Sequence, residues 1–195
     1  MSPKVIWVRH GTCRDGLERP NAHARPDSPL SDLGREQLVA TAEDIRGRLA
    51  VPPLLVSSPL RRACESAAVL APLLAAVTPL PVHAEFVEWR APDCVLGRSA
   101  EEYPECYVRW RKRRAVEVES ALPGGESLAA FAQRAERARK LARALGERYG
   151  AVVVVSHRLL IGAVCGLAGG VQGAGALFEF CCGFRLAGGG VVSMP

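Results

Sequence analysis

Three apolar runs in this sequence end on side chains that bind anions. "VIWVRHG" closes on Arg9 and His10, "LLVSSPLRRA" leads into Arg61 and Arg62, and "AVVVVSHR" closes on Ser156, His157 and Arg158. Arginine presents a planar fork of N–H donors that matches a phosphate or carboxylate bidentately. A neutral imidazole is a competent nucleophile toward phosphorus, and a covalent intermediate splits a hard hydrolysis into two easier transfers. A second imidazole, if protonated, would hold the equatorial oxygens as charge spreads over a transferring phosphoryl group. No Walker-type lysine loop, H-E-x-x-H pair or dinucleotide glycine signature competes with this chemistry.

The elements around these ends explain how they could meet. Residues 4–8, "PPLLVSS" and "AVVVVSH" are apolar without strict alternation, the pattern of strands covered on both faces. "LPVHAEF" reads as another strand. Between them lie helical patterns: "GREQLVATAEDIRGRL" with Leu38, Ala42, Ile45 and Leu49 on one face, "PLRRACESAAVLAPLL", and the long "GESLAAFAQRAERARKLARALGERYG" closed by Gly150. A basic helical region spans Ser99 to about Glu117, a helix is expected from Arg158 to Leu167, and "ALFEFCCGFRLAGGGVVSMP" reads as two short strands around glycine turns. Strands alternating with helices predict a single-domain, three-layer α/β/α fold with a mostly parallel sheet. In open α/β sheets ligands bind beyond the carboxyl ends of the strands, so residues up to about 150 positions apart would gather on one edge.

At 195 residues and about half hydrophobic, the chain is expected to fold as one globular domain without long disorder. The net charge of +5 is carried almost wholly by arginine, Lys4, Lys112 and Lys140 being the only lysines. Seven cysteines without a C-x-x-C pair, and an N-terminus lacking an apolar signal region, predict reduced thiols and a cytoplasmic location. No apolar run approaches the roughly 18–20 residues that span a bilayer, so no membrane partner is expected.

The motifs in their order resemble the histidine phosphatase superfamily, in its phosphoglycerate mutase-like branch. Arg9-His10-Gly11 matches R-H-G, "DSPLSDLGREQ" is similar to D-x-P-L-[ST]-x-x-G-x-x-Q, and "SSPLRRACESA" resembles S-S-P-L-x-R-A-x-x-T-A. "PGGES" at 123–127 and "VVSH" at 154–157 complete a series spread over nearly the whole chain. The resemblance implies the histidine phosphatase fold and a metal-independent phosphatase that needs no cofactor. In it His10 would be the phosphorylated nucleophile, and Arg9, Arg62 and His157 would clamp the phosphoryl oxygens. Arg62, not Arg61, aligns with the family's arginine. The family's proton donor corresponds to Glu88 in "FVEW", with Glu85 as its rival and Glu126 a further candidate whose alternative role is a helix-start cap. The segment 99–120 would form a lid over the site.

The chain also departs from the pattern. Thr12 stands where an acid often follows R-H-G, Gly16 replaces a polar residue, and Arg158 replaces the glycine usual after the second histidine. Arg158 could narrow the pocket, reach a second anionic group or face solvent. His23 could contact substrate or simply sit in a mobile loop. The run "RWRKRR" (Arg109–Arg114) resembles a nucleic-acid patch by charge alone and is read as a solvated helix face, so no nucleic-acid partner is expected. The expected partner is a small phosphorylated metabolite. The alternatives are a mutase-type phosphoryl transferase, a class generally longer than this chain, and a pseudo-phosphatase that only binds a phosphorylated ligand. Neither the substrate nor the oligomeric state is legible.

Overall fold

The computed structural model describes residues 4–20, 22–76 and 80–194. Its four-stranded sheet has the order β2-β3-β1-β4, with β1 Lys4–Arg9, β2 Leu54–Ser57, β3 Ala151–Ser156 and β4 Val191–Met194. The first three strands are parallel and β4 is antiparallel at one edge. Alternation along each strand sends side chains to opposite faces. Val5, Trp7, Val56, Val152 and Val154 enter one core, and Ile6, Val8, Leu55, Val153 and Val155 the other. All six residues of β3 are buried, so both faces must be covered.

Helices supply that cover. The second core is closed by α2 (Asp32–Arg48) and α3 (Arg61–Leu73) through Leu38, Ile45, Ala63 and Leu70. The first is closed by α5 (Leu128–Tyr149), α6 (Arg158–Ala168) and α7 (Ala174–Gly183) through Phe131, Leu160, Ile161 and Phe178. The short α1 (Arg14–Glu18) lies in the loop after β1, and α4 (Glu105–Arg113) follows β2 and α3 in the chain. The fold is thus the predicted α/β class with helices on both faces of a mostly parallel sheet. No helix among the described residues is long and apolar enough to cross a membrane.

Two segments differ from the sequence reading. Residues 80–86 form no strand: Ser57 N–H donates to the Pro81 carbonyl and His83 N–H to Ser57, giving one bridge at Val82. The chain then tightens into a 3₁₀ turn at Ala84–Phe86, and Pro81, lacking an N–H, cannot extend a ladder. The C-terminal region holds the helix α7 and one strand, not two strands. Leu177, Phe178 and Cys181 are its buried face, at helical spacing. The basic region after Ser99 is a 3₁₀ turn at Ala100–Glu102 and then α4, separated by Pro104.

Candidate active site

The parallel register aligns Arg9 with Ser156 and Ser57 with Val155, so the three strand ends lie side by side. Beyond β1 the chain turns against the start of α2 with almost no clearance. A Cβ on Gly11 would meet the Gly34 carbonyl oxygen at 2.4 Å, and one on Gly34 would meet the Thr12 oxygen at 2.3 Å. Ser31 caps α2 by accepting from the Gly34 N–H (3.1 Å) and donates to the Thr12 carbonyl (2.6 Å), while Gln37 Oε1 accepts from the Thr12 N–H (2.9 Å). The segment "DSPLSDLGREQ" is therefore the clamp that fixes the loop carrying His10.

His10 is buried, and its Nδ1 lies 2.7 Å from the Gly11 carbonyl. A carbonyl only accepts, so Nδ1 carries the proton and Nε2 keeps its lone pair. Arg62 Nε donates to that Nε2 at 3.2 Å, and its Nη1 donates to the Arg25 carbonyl at 3.0 Å. Burial, followed by the Arg62 charge, holds the His10 imidazole well below its ordinary range, so it is neutral near pH 7. Burial also opposes the charges of Arg9 and Arg62, a cost that an incoming anion would offset. Arg9 is tethered through Nη1 to the Leu186 carbonyl, and its Nε is buried without a partner among the described residues.

His157 has no exposed surface, and its ring centroid lies 5.0 Å from that of His10. Its Nε2 is 2.8 Å from Ser58 Oγ, which already accepts from the Leu60 N–H at 3.2 Å. The Ser58 hydroxyl can donate to Nε2 or accept from it, and Nδ1 is buried with no partner among the described residues. Burial, with Arg62 and His10 next, pushes His157 well below its usual range. The condition set in the sequence reading, a protonated second histidine, is disfavoured by this burial, so the ring offers an N–H rather than a charge.

The Glu88 carboxylate accepts at Oε1 from the N–H groups of Trp89 (3.0 Å) and Leu160 (3.1 Å), and at Oε2 from Leu159 (3.1 Å). It thus sits on the N-terminal turn of α6, directly after His157, and Oε2 keeps a lone-pair position unused by the protein. Its backbone is held from below. Arg134, on α5, donates to the carbonyls of Glu85 (3.1 Å), Val87 (2.5 Å) and Glu88 (3.2 Å) while its Nε and Nη2 grip Glu126. Glu126 is therefore the buried partner of Arg134 and not a helix cap, a role that falls to Ser127.

Arg9, His10, Arg62, Glu88, His23 and Arg158 all line one cavity of about 980 Å³, together with Cys13, Trp89 and Arg185. His157 stands behind its wall, and Glu85 and Glu126 do not border it. His23 is no loose loop residue. Its carbonyl accepts from the Gly97 N–H (2.7 Å), and its ring packs among Trp89, Tyr103 and Tyr107 at 5.9–6.4 Å. Burial there, helped by Arg114 and Arg111, lowers its pKa to about 4. Arg158 is half-buried, with Nη1 donating to the carbonyls of Cys181 (3.1 Å) and Phe184 (2.8 Å). Sequence reasoning missed Ser58, Arg134, Arg185 and the Leu186 carbonyl. Ser58 alone carried a signal, its place in "SSPL".

Neutral histidine, buried arginines and a carboxylate at one strand edge match a known class. Residues 5–178 match the sequence profile of the Histidine phosphatase superfamily (branch 1), and the chain belongs to that family. Among curated proteins it is similar to a glucosyl-3-phosphoglycerate phosphatase of Mycolicibacterium vanbaalenii, 42% identical over 67 residues. That match spans 34% of this chain and 28% of the relative's length. A mycobacterial glucosyl-3-phosphoglycerate phosphatase solved in complex with VO3 superposes with a TM-score of 0.77 at 25% identity, covering 100% of this chain and 91% of the other. The alpha-ribazole phosphatase of Shigella flexneri, 22% identical with a TM-score of 0.76 over 98% of this chain and 90% of its own, shares the fold.

Proposed function

We propose that the protein is a metal-independent phosphatase that hydrolyses a small phosphomonoester through a phosphohistidine on His10. The observation that carries the reading is the buried, neutral His10, whose Nδ1 proton is engaged by the Gly11 carbonyl so that the Nε2 lone pair, met by Arg62 Nε, is the nucleophile. The phosphatase names of its relatives support the same class.

In this mechanism the substrate phosphoryl group displaces Arg62 Nε from His10 Nε2. Arg9 and Arg62 take the phosphoryl oxygens, while His157, which does not border the cavity, backs the His10 ring at 5.0 Å between centroids. Nε2 attacks phosphorus, the bond from phosphorus to the ester oxygen breaks, and a proton on Glu88 Oε2 passes to that oxygen as the alcohol leaves. Water then attacks phosphorus, Glu88 takes its proton, the P–N bond breaks, and inorganic phosphate departs from neutral His10. The segment 99–120 borders the same aromatic wall as His23 and acts as the lid. Preorganised donors of this kind supply most of the stabilisation of the transferring charge.

The test is phosphate release from p-nitrophenyl phosphate and from a simple alkyl phosphate in the presence of chelator. The wild type should release phosphate from both and His10→Ala from neither. Glu88→Gln should slow the alkyl ester by roughly 10²–10⁴-fold, the range of general acid catalysis, and the aryl ester far less because its phenolate leaves unaided. Loss of activity in chelator would overturn metal independence. Equal losses on both esters would reduce Glu88 to a pocket wall.

A further inference from the structure

The cavity holds more cationic side chains than one phosphoryl group employs. Arg9 and Arg62 flank His10, yet Arg90, Arg158 and Arg185 line the same space, against only Glu88 and Asp93 as carboxylates. Two of the additional arginines are fixed by the end of α7. Its last-turn carbonyls lack helical partners and carry the negative end of the helix dipole. Arg158 Nη1 donates to Cys181 and Phe184, and Arg185 Nη1 donates to the Cys182 carbonyl at 3.2 Å.

What remains free is the informative part. Among the described residues neither Nε nor Nη2 of Arg158 or Arg185 has a protein partner, and those of Arg158 reach solvent. Elsewhere in this protein that same Nε/Nη2 edge holds carboxylates side-on: Arg25 with Asp15, Arg48 with Asp44, Arg134 with Glu126, and Arg139 with Glu136, at 2.6–3.2 Å. Arg158 is also next in sequence to Leu159 and Leu160, whose N–H groups hold Glu88. Arg158 and Glu88 line the same cavity, so Arg158 shares the space into which the leaving alcohol departs. Its charge acts on Arg9 as well, so the two cations repel until anions separate them.

We propose that the alcohol half of the substrate carries a carboxylate, received by the Nε/Nη2 edge of Arg158 with Arg185 beside it. This rests on the phosphatase reading above and names its substrate class: phosphomonoesters of hydroxy acids. Arg158 is the specificity-determining residue.

The experiment compares phosphoglycolate with 2-hydroxyethyl phosphate, which differ only in carboxylate against CH2OH, by kcat/KM for phosphate release. The same pair is titrated calorimetrically into the unreactive His10→Ala chain. The wild type should favour phosphoglycolate by roughly 10- to 100-fold, the scale of one charge-assisted pair. Arg158→Gln, which removes the charge and the Nε/Nη2 edge, should erase most of that ratio through KM. Arg158→Lys should retain part of it, and Arg185→Ala should reduce it less. A wild-type ratio near one, or a ratio unmoved by Arg158→Gln, overturns the subsite. If neither ester is hydrolysed, the phosphatase reading falls by itself, and the binding ratio in His10→Ala still decides the subsite.

Discussion

Arg134 is the strut on which the acid side of the site rests, and its removal gives a quantitative test. Its side chain is 12% exposed and that of its partner Glu126 is 3% exposed. It makes two bonds to that carboxylate, at 2.8 and 2.6 Å, and three to the carbonyls of Glu85, Val87 and Glu88. Exposed pairs such as Arg109–Glu105 contribute about 0–1 kcal/mol. Breaking a buried pair by removing one partner costs about 3–5 kcal/mol, because the other charge is left uncompensated. Arg134→Met keeps the apolar stem of the side chain and deletes all five bonds. With a urea slope of roughly 3 kcal/mol/M for a chain of this size, the midpoint should fall by about 1–1.7 M. Adding Glu126→Gln should recover about 2 kcal/mol by removing the stranded charge. The released carbonyls should also let Glu88 drift, so the folded variant should lose more activity on alkyl than on aryl phosphates. A midpoint shift below about 0.3 M, or a double variant as unstable as the single, would refute the reasoning.

Two further outcomes follow from geometry and titration. Gly11→Ala puts a Cβ against the Gly34 backbone, which cannot yield like a flexible side chain. It should destabilise by about 1–3 kcal/mol and displace His10, while Gly47→Ala, with nothing within 4 Å of its Cβ, should stabilise α2 by about 0.5–1 kcal/mol; equal urea midpoints for the two would contradict the close packing. His23 has its folded pKa depressed from 6.5 to about 4, so the fold favours the neutral ring. Its contribution is full above pH 6.5 and is lost as pH falls toward 4, by about 1.36 kcal/mol per unit or roughly 3 kcal/mol in all. Urea midpoints of the wild type should therefore drop over that window more steeply than those of His23→Phe, and parallel curves would contradict it.

Much of this site was legible because buried strands announce themselves. "VIWV", "LLVS" and "AVVVVS" are apolar on both faces, and Arg9 and His157 directly after the first and third, with Arg61 four residues past the second, mark an edge rather than a core. The clamp around Gly11 and Gly34 was visible as motif but not as mechanism, since the 2.3–2.4 Å approaches exist only once β1 and α2 are docked. Arg134 was illegible for a physical reason. It lies in "QRAERARK" among Arg137, Arg139 and Lys140, and nothing local distinguishes the one cation that turns inward. α7 was misread because Phe178, Phe180 and the paired cysteines suit a strand by type, while the packing of Leu177, Phe178 and Cys181 on α5 and α6 decides for a helix. The titration of His157 depends on complete burial behind Arg62, which no pattern of types conveys.

The claim on which the rest depends is that His10 becomes covalently phosphorylated. The direct measurement is rapid acid-free quenching of the protein during turnover of p-nitrophenyl phosphate, followed by intact-mass and peptide mass spectrometry under neutral or alkaline conditions. The account predicts a phosphoryl adduct on His10 that forms with the nitrophenolate burst, decays with phosphate release and is missing in His10→Ala. Turnover that proceeds with no adduct at any quench time and no burst, or an adduct on another residue, would contradict it.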